Sequence, residues 1–336
     1  MAEAALVSDL PIIDMQSLMA GGSVRAGAVA ALDRAARERG FFQLIGHGVP
    51  PQHRERLLRA QAAFFARPLE HKLRVARDAD NARGYNPGEL TKNRRDAKEI
   101  FDFGHCPDPA AADDAPANRV LDGWNRFPDD LPGFREANWR WYGYCESLAM
   151  ILLRAFAEAL ALEPDALESA FGEQHTSFLR LNHYPPQDEP APADAPDLPA
   201  AGQLGIHHHT DAGVLTLLIQ DGARALQVRE NGRWQLVEPL TDAFIVNIGD
   251  MMQVVSNDRW PAPEHRVLAT PQGGRRSSAA FFFNPAYEAR IAPLAATAAD
   301  APRYRPFTWG EFRRHRADGD YADLGEEVQI SQYQFF

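Results

Sequence analysis

From residue 176 to Asn284 apolar residues recur with a period of two, interrupted by turn residues, and this pattern restricts the fold more than any other feature. Successive side chains of a strand point to opposite faces, so such alternation marks strands with one buried face. Asn231-Gly232 separates Leu226-Gln-Val-Arg229 from Trp234-Gln-Leu-Val237. That dipeptide suits a two-residue hairpin, whose central residues take positive φ. Gly273-Gly274 is read the same way, as the turn joining His265-Arg-Val-Leu268 to a strand that starts at Arg276. Many short strands with regular turns predict an antiparallel jelly roll or barrel.

The first half mixes helix and strand. Val24 to Arg39 reads as a helix stopped by Gly40, and Phe41-Phe-Gln-Leu-Ile45 as a strand closed by Gly46-His-Gly48. Pro51 opens a helix with Leu58, Ala62 and Phe65 on one face. A longer helix over Phe134 to Ala161 carries Tyr144, Leu148, Ile151, Ala155 and Ala159 as a core-packing stripe. Pro107 to Asn118 and Pro185 to Pro199 read as surface loops without packed cores. The expected class is mostly β with flanking helices: a double-stranded β-helix (jelly-roll) core and a helix-rich N-terminal region.

Charge narrows the function. A formal net charge of −11 argues against nucleic-acid or anionic-membrane partners, which need a basic face. Cys106 and Cys145 are too few for a disulfide framework and are read as reduced thiols in the cytoplasm. The amino terminus lacks a secretory pattern, and no stretch of about 18 apolar residues is present, so no membrane span is expected.

His209-Thr210-Asp211 carries the chemistry. On a strand, residues i and i+2 share a face, so His209 and Asp211 can reach one ion together. Two imidazoles and one carboxylate on one face of an octahedron leave three positions open, the arrangement that Fe(II) oxygenases need. His265, at the start of a later strand, is the candidate second imidazole. A lone His-x-Asp triplet is weak evidence, but it has company. Arg276-Ser277-Ser278 places a guanidinium and a hydroxyl on one strand face, and a guanidinium is the preferred planar clamp for a carboxylate. Asn182-His183-Tyr184 places an amide and a phenol together in the same way.

The chain resembles the isopenicillin N synthase-like family of Fe(II)- and 2-oxoglutarate-dependent dioxygenases over nearly its whole length. Pro11-Ile-Ile-Asp14, Gly40-Phe-Phe42, Gly46-His-Gly-Val49 and Pro68-Leu-Glu-His-Lys72 are similar to that family's amino-terminal region. Leu181-Asn-His-Tyr-Pro-Pro186, His209-Thr-Asp-Ala-Gly-Val-Leu-Thr-Leu-Leu218, Val246-Asn-Ile-Gly-Asp250, His265-Arg-Val267 and Arg276-Ser-Ser-Ala-Ala-Phe-Phe-Phe283 are similar to its barrel. The resemblance implies an iron site of His209, Asp211 and His265. It implies that Arg276 and Ser278 hold the distal carboxylate of 2-oxoglutarate, with Asn182 and Tyr184 lining the same pocket. Arg276 rather than Arg275 is chosen because Ser278 stands three residues before Phe281, as the family pattern requires. It implies Fe(II), 2-oxoglutarate and O₂ as cofactor and cosubstrates, and a small-molecule substrate oxidised at an unactivated C–H bond; a monomer or weak homo-oligomer is expected. The corresponding division is an N-terminal dioxygenase region over 1–120, connecting helices over 121–172, a jelly-roll core over 173–290 and a helical extension over 291–336. Asp211 argues against a halogenase, where that ligand position is a small residue.

Two features depart from the plain pattern. His207 and His208 precede the triplet, and alternation would put His207 beside the site and within reach of substrate; the plainer account makes both incidental neighbours. The segment from Gly84 to Gly104 carries Lys92, Arg94, Arg95 and Lys98, and Phe101 and Phe103 would share a face as an apolar wall. These cations would draw a carboxylate-bearing substrate toward iron, unless Glu89, Asp96 and Glu99 neutralise them in a solvated loop, which is the plainer reading. His47 reads as structural, and His53, His71, His105, His175, His183 and His315 as surface or packing residues. Two rivals remain: an iron oxidase that does not use 2-oxoglutarate, and a non-catalytic jelly-roll binding protein.

Overall fold

The computed structural model describes residues 7–92, 94–105, 122–172, 174–192, 202–294, 301–320 and 328–335. Thirteen strands build two facing sheets. In chain order they are β1 (Val7–Ser8), β2 (Ile12–Asp14), β3 (Phe41–Ile45), β4 (Gly84–Asn86), β5 (Glu99–Gly104), β6 (Phe178–Tyr184) and β7 (Leu204–His209). They continue with β8 (Leu215–Gln220), β9 (Leu226–Glu230), β10 (Arg233–Val237), β11 (Phe244–Ile248), β12 (His265–Leu268) and β13 (Arg276–Phe283). The larger sheet runs β2-β3-β11-β8-β13-β6-β5-β4, and the smaller runs β1-β10-β9-β12-β7. Residues 1–120 therefore contribute β2, β3, β4 and β5 to the same sheet as the later core strands. The fold is the expected jelly roll with flanking helices.

Alternation along the larger sheet decides what faces the site. On β8, Leu215, Leu217 and Ile219 pack into the helix-side core, whereas Thr216, Leu218 and Gln220 face the interior between the sheets. On β13, Ala279, Phe281 and Phe283 join that core, while Arg276, Ser278 and Ala280 face the interior. A slip of one residue would exchange the two sets, so the buried apolar face locks the polar face into register. The helix side is covered by α1 (Gly22–Glu38), α2 (Pro51–Phe65) and α3 (Phe134–Ala159). α4 (Asp250–Val255) and α5 (Trp309–Asp320) lie near the ligand-bearing turn.

Several sequence expectations need correction. β12 and β13 do not form a hairpin across Gly273-Gly274: β12 pairs with β7 and β9, and β13 pairs with β8 and β6 in the other sheet. The connecting chain instead crosses between sheets, and Thr270–Pro271 pairs in parallel with Pro186–Gln187. Those two strands, with the buried Ala191, also give the described part of 185–199 more structure than a bare loop. Residues 107–118 lie outside the described residues. The buried face of α2 is Leu57, Gln61, Phe64 and Phe65, while Ala62 is exposed. A polar core residue, Gln61, concealed this stripe; its amide donates to the carbonyls of Asn182 and Ser278 at 2.9 and 3.0 Å. The Asn231-Gly232 hairpin between β9 and β10 is present, with φ of 49° and 77°. Cys145 is buried, and burial pushes its thiol up. Among the described residues no helix is long and apolar enough to cross a membrane.

Candidate metal centre

His209 closes β7 and His265 opens β12, and the two are direct cross-strand partners. The β7–β12 ladder shifts register between Ile206 and His209. Asp211 lies beyond the end of β7, so its approach to His209 comes from the turn and not from strand alternation. That turn is pinned from outside. The Asp250 amide donates to the Asp211 carbonyl at 2.7 Å, and the Met251 amide donates to the Gly213 carbonyl at 3.0 Å. A Cβ at Gly249 would strike the Gly213 carbonyl, so this close approach requires glycine.

One ligand atom from each of His209, Asp211 and His265 lies within 4.8 Å of the others. Asp211 Oδ1 stands 3.5 Å from His209 Nε2 and 3.6 Å from His265 Nε2. The remaining atoms of each ligand are occupied. His209 Nδ1 contacts the His207 carbonyl at 2.8 Å, and His265 Nδ1 contacts the Pro263 carbonyl at 3.2 Å. A carbonyl only accepts, so each imidazole in its neutral form carries its proton on Nδ1 and presents an Nε2 lone pair. Asp211 Oδ2 accepts from Asn247 Nδ2 at 2.7 Å and from the Thr216 hydroxyl. Phe41 meets the His265 ring edge-on, with centroids 5.4 Å apart.

Burial opposes ionisation of Asp211, yet His265, His209 and the Asn247 amide hold its carboxyl far below the usual range. Burial, reinforced by His209, pushes His265 down to about 4 and keeps it neutral. His209 is raised: burial opposes its charge, but the Asp211 hydrogen bond and carboxylate outweigh it. Two neutral-capable imidazoles and a carboxylate, each with its outer atoms fixed, fit a divalent iron with an open coordination face.

The candidate cosubstrate residues form two facing pairs on adjacent strands. Arg276 stands opposite Tyr184, and Ser278 opposite Asn182. The Arg276 side chain is buried at 1% exposure, lies over the Tyr184 ring at 4.4 Å, and donates through Nη2 to Gln220 Oε1 at 2.8 Å. Among the described residues its Nε and Nη1 have no partner, nor has Asn182 Oδ1. A buried guanidinium with two of its three nitrogens unsatisfied is costly unless an anion completes it. A ligand carboxylate fits that need. A cavity of about 140 Å³ joins these residues to His209, Asp211 and His265.

The other candidates are placed differently. Phe101 and Phe103 are fully buried on the helix side of β5, among Phe64, Phe127, Phe134 and Trp139, and form no wall of the cavity. Alternation puts Ile100 and Asp102 on the other face. Lys92 sits at the turn of a small hairpin, Leu90–Thr91 with Arg94–Arg95, and none of Lys92, Arg94 and Arg95 lines the cavity. From the same segment it is Glu89, Leu90, Thr91 and Lys98 that do. Lys98 is buried against Glu89 at 2.7 Å and Asp96 at 3.3 Å. His207 turns to Asp96 at 3.0 Å and is not a wall residue either.

Sequence reasoning missed Thr216, Gln220 and Asn247. Each is a polar residue at an interior-facing position of an otherwise apolar strand, which was the signal available. It also missed Arg316 of α5, which donates to the Thr210 carbonyl at 2.7 Å and pairs with Asp250 at 2.9 Å, so bracing the ligand turn from the far end of the chain. Nothing local in the sequence marks that contact.

The model of the 2OG-Fe(II) oxygenase superfamily matches residues 175–285, and that of the non-haem dioxygenase in morphine synthesis N-terminal region matches residues 10–130. Gibberellin 2-beta-dioxygenase 6 of Oryza sativa is 32% identical over 98% of this chain and 86% of its own length. Oxoglutarate-dependent flavonoid 7-O-demethylase 1 of Ocimum basilicum is 33% identical over 86% of this chain and 72% of its own. Among solved structures, JOX2 in complex with 2OG, Fe and JA is 28% identical, with a TM-score of 0.77 over 100% of this chain and 92% of that one. The dioxygenase for auxin oxidation in rice is 26% identical, with a TM-score of 0.74 over 97% of this chain and 100% of that one.

Proposed function

Because the chain belongs to the 2OG-Fe(II) oxygenase superfamily and is an Fe(II)- and 2-oxoglutarate-dependent dioxygenase, we propose that His209, Asp211 and His265 hold the iron and that Arg276, Ser278, Asn182 and Tyr184 hold 2-oxoglutarate. The substrate is a small molecule oxidised by hydroxylation, desaturation or cyclisation at an unactivated C–H bond. The observation that carries the assignment is the buried Arg276 fork, with Nε and Nη1 unsatisfied, facing the same cavity as three converged ligand atoms.

With iron, 2-oxoglutarate and O₂ bound, such a centre couples conversion of 2-oxoglutarate to succinate and CO₂ to two-electron oxidation of substrate. The protein's part is placement. The Nδ1–H anchors fix both imidazoles, Thr216 and Asn247 leave one Asp211 oxygen for the metal, and Gln220 and Tyr184 aim the Arg276 fork. Trp309 and residues of both sheets line the cavity. We place the protein in the cytoplasm as a monomer or weak homo-oligomer, in keeping with its net charge of −11 and a buried free Cys145.

The test is succinate release by iron-loaded protein under O₂, screened against amino acids, peptides and secondary metabolites. Substrate-dependent succinate supports the proposal. Substrate oxidation without succinate would assign the Arg276 clamp to a substrate carboxylate in an iron oxidase. No oxygen uptake with any candidate would favour a binding protein.

A further inference from the structure

β7 reaches the metal centre through an irregular ladder, and the irregularity has an identifiable support. Between Ile206 and His209 the pairing with β12 shifts register, which leaves the intervening backbone groups outside the regular ladder. The His207 amide donates instead to Asp96 Oδ1 at 3.0 Å, and the His207 ring nitrogen Nδ1 lies 3.0 Å from the same oxygen. The His207 carbonyl in turn accepts His209 Nδ1–H at 2.8 Å. Asp96 is itself fully enclosed: its side chain is 0% exposed, its Oδ2 accepts the Thr91 hydroxyl at 2.7 Å, and Lys98 Nζ lies 3.3 Å away. One backbone bond beside it, from the Ala97 amide to the Leu204 carbonyl at 3.0 Å, ties the same segment to β7.

We propose that Asp96 is a positioning residue for the iron: it holds the irregular stretch of β7 through the His207 backbone, so that His209 presents Nε2 to the metal. β7 is the edge strand of its sheet, and the carboxylate holds His207 by its amide and ring nitrogen together. With the residue held on that side of its Cα, the following peptide unit presents the carbonyl that accepts His209 Nδ1–H. Thr91 and Lys98, which steady Asp96, also line the cavity. The segment bordering the substrate space is thus mechanically joined to one metal ligand. Ligands are commonly aimed by such outer contacts, whose loss typically costs about 10–100-fold in metal affinity.

The inference rests on the assignment of His209, Asp211 and His265 as ligands, and the experiment separates the two. Co(II) affinity, the Co(II) d–d spectrum and the melting temperature of the metal-free protein are measured for wild type, Asp96→Ala, Asp96→Asn, His207→Ala and His209→Ala. Asp96→Ala is expected to weaken Co(II) binding about 10–100-fold and to shift the d–d bands. Asp96→Asn, which retains an acceptor, guards against a folding defect and should lie between it and wild type. His207→Ala keeps the amide and carbonyl, so it should lose less than Asp96→Ala. A lowered melting temperature with unchanged Co(II) affinity and spectrum would reduce Asp96 to a packing residue and overturn the inference, as would a loss in His207→Ala equal to that in Asp96→Ala. Wild-type affinity in His209→Ala would overturn the metal assignment itself.

Discussion

Replacing Arg276 by lysine tests the cosubstrate pocket while keeping its charge. The arginine is 1% exposed, stacks on Tyr184 at 4.4 Å and donates one N–H of Nη2 to Gln220. Nη1, which has no partner among the described residues, is left to grip a carboxylate together with the second N–H of Nη2. Lysine keeps a cation on a shorter reach, but it loses the two-point fork and the planar stack. A charge-assisted hydrogen bond contributes about 1.5–3 kcal/mol, which at about 1.4 kcal/mol per decade is roughly a 10- to 150-fold weaker Kd for 2-oxoglutarate. Arg275 is exposed and points the other way, so Arg275→Lys should change Kd by less than about twofold. Calorimetric titration of 2-oxoglutarate into anaerobic Mn(II)-loaded protein reads both variants against wild type. Equal effects at 275 and 276, or none at 276, would refute the argument that the buried fork receives the cosubstrate.

Asp211→Ala should abolish metal retention and turnover while the protein still unfolds in one cooperative transition, because the ligands sit at strand ends outside the main core; iron content near that of wild type would sink the triad. Metal affinity should fall on acidification. His265 is already neutral, pushed down to about 4, whereas His209 is raised above its ordinary value of 6.5 and must release a proton to bind. The affinity is therefore full above the His209 pKa and is lost as pH falls through it, approaching tenfold per pH unit; a flat Co(II) affinity between about pH 6 and 8 would contradict this. Phe103→Ala should destabilise the protein by about 3–5 kcal/mol in urea unfolding, with substrate KM unchanged at temperatures where it stays folded. A raised KM at full stability would return Phe103 to the substrate wall.

What was legible in the sequence followed from short-range rules. Period-two alternation identified the strands that carry Asn182, Tyr184, Arg276 and Ser278, and the structure pairs those residues directly across one ladder. The same rule misled where regularity fails. Asp211 reaches His209 through a pinned turn, and the irregular ladder at 206–209 diverts His207 to Asp96. Phe101 and Phe103 share a face as expected, but which of the two faces meets the metal depends on the distant helices Pro51–Phe65 and Phe134–Ala159. The crossing at 270–271, and the braces from Asp96 and Arg316, join residues more than 80 positions apart. No local propensity encodes such contacts, because they arise only when whole layers pack.

The reach of Arg316 to the Thr210 carbonyl has a consequence for how the protein is made. His209 and Arg316 are 107 positions apart, which at about 5–20 residues per second takes roughly 5–20 s of synthesis. Until then the ligand turn lacks its last clamp, and the emerging polypeptide offers isolated imidazoles that bind many divalent ions with similar weakness. Tight, geometrically selective capture must wait for the closing helix. If this centre holds iron as proposed, selection of the metal by geometry is therefore possible only after residue 316 has been added, at whatever ion concentrations prevail then.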